Sequence, residues 1–508
     1  MRVFVLAALA FLPSGLSAQP LNVPWNGYAH DPQHTGTSAT AAQPLVTKHW
    51  QTPVDLNPPG GGSGPLFVHY GSPVITAGNT ILVPVTAADG SYQLRAFQGS
   101  SGAAIYTLAS DYTAPVNQGW TPPFGPALAL GTRVYYPGAG GTVYYRDLPN
   151  SATGPNGQAG ASGQIAFYGM SGANGYTANP SAFNRSISIS TPLTADRFGN
   201  IYFGFTAVGS NPAGLVSGIA RITAAGKGSW ASAASLTGDS AAPQIAQNSA
   251  PALNNNQTAL YVATSTGQTF GTGYLASVNA ATLAPISHIE LDDPRGAKAT
   301  ISIDSTAAPM IGPDGDVYFG VLESPCCSSH RDRGWLLHFD AALSQVKTPG
   351  SFGWDDTASI VPASIVPSYT GTSSYLLLTK YNNYATTGGN GINQIALIDP
   401  FASHTDPYGT TVAVMKEVIA VNGVTPDDSG LPAVREWCIN AAAIDPFTKS
   451  AIVNSEDGIV YRWDFTTNML SQHVTLTSGR GEAYTPTLVG PDGTVYAIND
   501  SVLFAVGS

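Results

Sequence analysis

One short pattern recurs along the chain: a small residue, a proline, an apolar residue, a turn cluster, then a β-branched and aromatic run. Seven copies carry the proline: Ser72-Pro73-Val74, Gly125-Pro126-Ala127, Thr191-Pro192-Leu193, Ala250-Pro251-Ala252, Ala308-Pro309-Met310, Val366-Pro367-Ser368 and Thr485-Pro486-Thr487. An eighth, Ala441-Ala442-Ala443, lacks it. The runs that follow include DRFGNIYFG (196–204), NNQTALYVA (255–263), GPDGDVYFG (312–320) and GPDGTVYAI (490–498). Asp-Gly and Asn-rich turns between alternating apolar runs are hairpin signals. Several repeats add a further run, as in GWLLHFDA (334–341), GINQIALIDP (391–400) and GIVYRWDF (458–465). About four short strands per repeat is the unit of a propeller blade. The spacing of roughly 45–75 residues exceeds that of common blade repeats and implies long loops. Eight starts predict an all-β, single-domain propeller of eight four-stranded blades, or seven if the Gly-rich region 125–175 is over-split. The last repeat is short of strands. Residues 46–54 (VTKHWQTPV) supply the missing outer strand by pairing near 502–506, which closes the ring and removes its free edges.

Composition agrees. Only 10% of the 508 residues are charged, while 43% are hydrophobic, which excludes a disordered solvating chain. Gly (56) and Pro (38) are abundant without a three-residue period, which excludes collagen. A net charge of −11 with no basic run excludes nucleic acid as a partner.

The N-terminus reads as a secretory signal: Arg2, an apolar run over residues 3–12, Pro13, then small residues up to Ala18. Residues 1–18 are expected to be removed, leaving 19–508 as one propeller with a lead-in over 19–45. Gln19 in place of Cys argues against a lipoprotein. The expected location is periplasmic or extracellular, without membrane insertion and as a monomer. There are three cysteines, Cys326, Cys327 and Cys438. In an oxidising compartment the adjacent pair can close a vicinal ring, or one of them can bridge Cys438. We expect the ring, with Cys438 free.

Small-Pro-x-apolar, a turn and DG-x-VY, repeated around the chain, resembles the pyrroloquinoline quinone-like β-propeller family. The opening PWNGYAHDPQHTG (24–36) is similar to the lead-in of its secreted members. The family includes quinone-dependent alcohol and sugar dehydrogenases and non-enzymatic scaffolds, so fold alone does not deliver activity. One departure counts against dehydrogenase activity. The blade-locking places read FQGSSGAAIYT (97–107), VNAATLAPISH (278–288) and WDFTTNMLSQH (463–473), without the docking Trp.

The resemblance implies that loops entering innermost strands share a face with loops between second and third strands. Most of the charge falls after Glu290, and much of it falls in those loops. A ligand site is therefore expected at one mouth, from Arg331, Trp354, Asp355, Asp356, Lys380, Tyr381, Glu436, Trp437, Asn440, Arg480, Glu482 and Tyr484. Both signs of charge with aromatic planes suit a small polar or zwitterionic molecule, although a protein partner at that face or at a blade edge is a further reading. No catalytic residue and no metal are assigned. The alternative is a quinone- and Ca²⁺-dependent dehydrogenase. Asp355, Asp356, Glu436 and Asn440 would then be the oxygen ligands, and Lys380 or Arg331 would pair the cofactor. In the family a vicinal disulfide covers one quinone face, so Cys326-Cys327 would do so here, with Trp354 or Trp437 on the other. Other motifs have plainer explanations. His30 and His34 are four apart but flank Pro32, which opposes a helix. Asp314-Gly315-Asp316 is a hairpin turn without the glutamate of a calcium loop.

Overall fold

The computed structural model describes residues 24–59, 68–115, 124–154, 156–427, 433–479, 481 and 483–508. The expected signal sequence, Arg480 and Glu482 lie outside the described residues. Among the described residues eight antiparallel sheets form a ring of blades, their strands running outward in chain order except in the last blade, and a separate two-stranded sheet joins Phe270–Gly271 to Ile301–Ser302. The innermost strands include Val74–Ile75, Ala127–Ala129, Thr194–Ala195, Ala252–Leu253, Met310–Ile311, Ser359–Pro362, Ala443–Asp445 and Leu488–Val489. Blade five has three full strands. Its outer position is held by the bridges Leu336–Gly350 and Phe339–Val346.

The ring closes as expected. Thr47–Pro53 is the outer strand of the last blade, with Thr47 opposite Gly507 and Pro53 opposite Val502. The sixth start is corrected. Val366-Pro367-Ser368 lies in the connection after the innermost strand, which begins at Ser359 after Thr357 and Ala358.

The recurring VY tyrosine glues neighbouring blades. Tyr135, Tyr202, Tyr261, Tyr318 and Tyr496 are all buried. Tyr261 donates to the Ala341 carbonyl at 2.6 Å, and Tyr318 shares a 2.7 Å hydrogen bond with Tyr375. A buried ring supplies apolar area, and its hydroxyl finds a partner across the interface.

The lead-in fills the central channel. Six innermost strands donate a backbone N–H to it: Ile75 to Trp25 O, Leu128 to Asn26 O, Leu253 to Pro32 O, Ile311 to Gln33 O, Ile360 to Thr35 O and Ile444 to Gly36 O, all at 2.7–3.0 Å. Ala250, Ala308 and Ala441, the small residues that open three repeats, pack on Tyr28 and Ala29 of this plug. Hence the repeat begins with a small residue: a larger one would collide with the channel segment. Gly36 has φ +64°, and a Cβ there would lie 2.6 Å from the Ala442 carbonyl oxygen, so backbone and space both require glycine.

Candidate functional site

Just before each innermost strand the chain turns at one mouth of the channel, above the plug. Tyr28 points up from below. Its hydroxyl contacts Thr306 O at 3.3 Å, Thr357 Oγ1 at 3.0 Å and Asn440 Oδ1 at 2.8 Å. Asn440 Oδ1 also accepts from Thr357 N at 3.1 Å, and its Nδ2 donates to Thr306 Oγ1. The Asn440 carbonyl oxygen therefore has both of its acceptor positions filled within the protein.

Around this pillar sit Asp355, Asp356, Lys380 and Tyr484, with His69 from blade one. Asp355 has φ +48° and is 1% exposed. Its Oδ1 accepts from Thr306 N (2.6 Å) and Thr306 Oγ1 (2.8 Å), while Oδ2 has no hydrogen-bond partner and lies 3.8 Å from His69 Nε2. Asp356, also buried, accepts from Thr379 Oγ1. Burial pushes both carboxyls up, Asp356 to about 7, against the opposing charge of Lys380. Lys380 is 2% exposed. Among the described residues no hydrogen bond or ion pair reaches its Nζ, which stands 5.9 Å from the Tyr484 ring centre and 6.0 Å from Phe352. Tyr484 stacks on His69, centroids 4.6 Å apart and 15° between planes. Burial holds the His69 imidazole well below its ordinary value, with Lys380 adding to the effect.

A second group adjoins the first. Cys438 Sγ lies 3.2 Å from Glu456 Oε2 and 4.0 Å from Glu436 Oε2. Burial, then Glu456 and Glu436, push this thiol well up. Glu436, Cys438 and Glu456 are the one trio of His, Cys, Asp or Glu among the described residues whose ligand atoms lie within 4.8 Å of one another.

The structure thus brings Asp355, Asp356, Lys380, Glu436 and Tyr484 to the centre of one mouth. Arg331 stands at the rim, bonded to Asn383 Oδ1 at 3.3 Å. Trp354 turns towards blades four and five, beside a cavity of about 10 Å³ that holds at most one water. Tyr381 is interior, donating to Glu417 and lying under the Arg333 guanidinium. Trp437 is interior too, against Tyr461. These last three pack in the apolar clusters of the blades, and Arg480 and Glu482 lie outside the described residues. His69, Thr306, Cys438 and Glu456 complete the cluster. Only their position just before an innermost strand, or between second and third strands, could have marked them.

Cys326 and Cys327 form a vicinal disulfide, and Cys438 is a free, buried thiol. The disulfide turn is tied outward. Arg295 donates to Ser324 O and Ser329 O at 3.0 Å each, and Ser324 N donates to Asp293 Oδ2 at 2.9 Å. No described hydrogen bond, ion pair or ring contact joins the pair to the central cluster. Alkylation of the denatured protein should therefore label one thiol without reductant and three after reduction. Three labels without reductant, or a peptide crosslinked through Cys438, would refute the pairing.

No protein-family model matches the chain, and no curated protein matches it in sequence. Its shape does find solved structures. One is a europium-containing methanol dehydrogenase (TM-score 0.55, 9% identity, 94% of this chain and 89% of that one). Another is the quinohemoprotein alcohol dehydrogenase of Comamonas testosteroni (0.54, 12%, 96% and 77%). A third is a quinohemoprotein alcohol dehydrogenase of Pseudomonas putida HK5 (0.52, 12%, 96% and 76%). With eight blades and these neighbours, the chain shares the β-propeller fold of the quinoprotein alcohol dehydrogenases.

Proposed function

We propose that the protein is an exported binding propeller that holds a small zwitterionic molecule at one mouth, between Lys380 and Asp355. The observation that carries this is a buried ammonium and a buried carboxylate oxygen, Asp355 Oδ2, that feel each other's charge without touching. Burying two charges costs several kcal/mol each unless they meet a partner. A molecule that presents a carboxylate to Lys380 and an ammonium group to Asp355 supplies both partners, with the Tyr484 ring beside its carbon frame.

The alternative, a quinone- and Ca²⁺-dependent dehydrogenase, fits these residues poorly. Asn440 Oδ1, the atom that would ligate the ion, already accepts from Tyr28 and Thr357. Glu436 keeps company with the Cys438 thiol, a soft ligand where Ca²⁺ takes six to eight oxygens. The vicinal disulfide is anchored to Asp293 and Arg295 instead of the channel. The reading is accordingly a binding protein.

The test is a thermal-shift screen with the twenty amino acids and glycine betaine, followed by calorimetry, on the wild type, Lys380→Met and Asp355→Asn. We expect at least one zwitterion to raise the wild-type Tm by several degrees and neither variant to respond. A parallel incubation with pyrroloquinoline quinone and Ca²⁺ should leave no cofactor after desalting. Retained cofactor with dye reduction by alcohols, or a screen with no response, would overturn the reading.

A further inference from the structure

A second cavity opens on the same face, at the junction of blades eight and one. It measures about 100 Å³, and its lining includes Asp55, Tyr70, Tyr92, Phe124 and His69. The chain reaches it by leaving the closing strand Thr47–Pro53 and crossing to blade one, where Leu56 N donates to Thr86 O at 2.9 Å and Thr86 N donates to Val54 O at 2.9 Å. That crossing carries the Asp55 carboxylate inward, 8% exposed.

Asp55 is held by neutral donors only. Asn57 N donates to Oδ1 at 2.8 Å, and Tyr70 OH donates to Oδ2 at 3.0 Å. No cationic side chain among the described residues comes within ion-pair distance of it. A carboxylate offers about four acceptor positions, so half remain for something that enters the cavity. Burial raises its proton affinity, as expected where no counter-ion stands nearby. The walls opposite are rings. Tyr92 and Phe124 lie 5.3 Å apart, and each contacts Tyr112, at 5.1 and 5.5 Å. Aromatic faces attract cations, and an acidic chain of net charge −11 draws them in.

We propose that this cavity is a separate binding site for a small organic cation of the alkylammonium class, with Asp55 as counter-ion and the rings of Tyr92 and Phe124 as its cage. An anion is repelled by Asp55. Besides Asp55 the lining carries only neutral polar side chains, Asn57, His69, Tyr70, Thr86 and Tyr92, so a neutral sugar would leave the buried carboxylate without a counter-ion. At about 10–15 Å³ per water the space takes a head group the size of trimethylammonium, not a polymer. The cavity shares His69 with the Lys380 centre, but its carboxylate and its rings are its own.

The test uses choline, tetramethylammonium and 3,3-dimethylbutan-1-ol, the neutral isostere of choline, read by ligand-observed NMR and calorimetry. We expect both cations to bind and the alcohol to bind at least tenfold more weakly. Asp55→Asn keeps the bond from Asn57 and removes the charge, so cation binding should fall on the order of tenfold or more. Tyr92→Leu, which keeps the carboxylate, should weaken it similarly and covers the case in which Asp55→Asn fails to fold. Equal binding of alcohol and choline, no binding of either cation, or undiminished cation binding in Asp55→Asn would each overturn the proposal.

Discussion

A chain that begins at Thr37 should not form the folded ring. Residues 24–36 accept a backbone N–H from six of the eight innermost strands, and those donors face a channel built around the segment. Each backbone hydrogen bond contributes about 1 kcal/mol net, and an unsatisfied buried donor costs about 1–3 kcal/mol. The segment also buries Trp25 (2% exposed) and Tyr28 (6% exposed), worth about 2 kcal/mol or more each. The total, on the order of 10 kcal/mol, equals the whole stability of a typical domain. The truncated chain should therefore be recovered aggregated or without near-ultraviolet circular dichroism. Tyr28→Phe removes one hydroxyl and leaves Asn440 its bond from Thr357, so it should cost only about 1–2 kcal/mol. A truncated protein that melts within a few degrees of the full chain would show that the plug is dispensable.

The plug also explains what the sequence could and could not disclose. Blade positions are legible because hairpin turns, VY runs and small residues each answer a local requirement. Ring closure is legible because the last repeat lacks a strand. The sixth blade misleads because Thr357 and Ala358, without a proline, lead into its innermost strand at Ser359. The proline there, Pro362, ends the strand, and a chance Val-Pro-Ser follows. The proline is common but not required. The small residue is the part that the channel demands. The plug's own role is illegible because its contacts run through backbone carbonyls, which carry no sequence signature. Charged loops at one mouth could be read from topology. Which side chains turn into the channel could not: Asp355 faces it while Trp354 turns away, and Lys380 faces it while Tyr381 supports Arg333. Trp354 and Asp355 lie in a turn, Asp355 with φ +48°, and Tyr381 follows the end of a strand, so no strand alternation marks which side chain enters the channel. Asp55 is illegible because it lies in the connection between the closing strand and blade one, outside any repeat, and His69 is marked only by preceding the innermost strand Val74–Ile75.

Asp356 should make the protein less stable as pH rises. Its carboxyl moves from an ordinary 3.8 to about 7 in the folded chain, chiefly through burial. The native state thus binds this proton more tightly than the unfolded state. The stabilisation is full below the unfolded pKa, and it is lost as pH climbs through the folded value. Three pKa units correspond to about 4 kcal/mol between about pH 4 and pH 8. Asp293 and Asp316, held low by Arg295, His338 and Lys347, act in the opposite sense, but their contribution fades only as pH falls below the carboxylate range. Asp356→Asn keeps an acceptor for Thr379 and cannot ionise, so the wild-type urea midpoint should fall relative to the variant's from pH 5 to 8, while the changes due to Asp332 and Asp355 (raised) and His34 and His69 (lowered) are common to both proteins. Lys380→Met removes the charge that favours ionised Asp356, so the decline should move to higher pH. If Asp356→Asn keeps the wild-type slope, another group titrates. If the wild type falls behind the variant, the chain holds at its mouth an acid that a stabler amide could replace. That cost is the one expected of a residue that serves a ligand more than the fold.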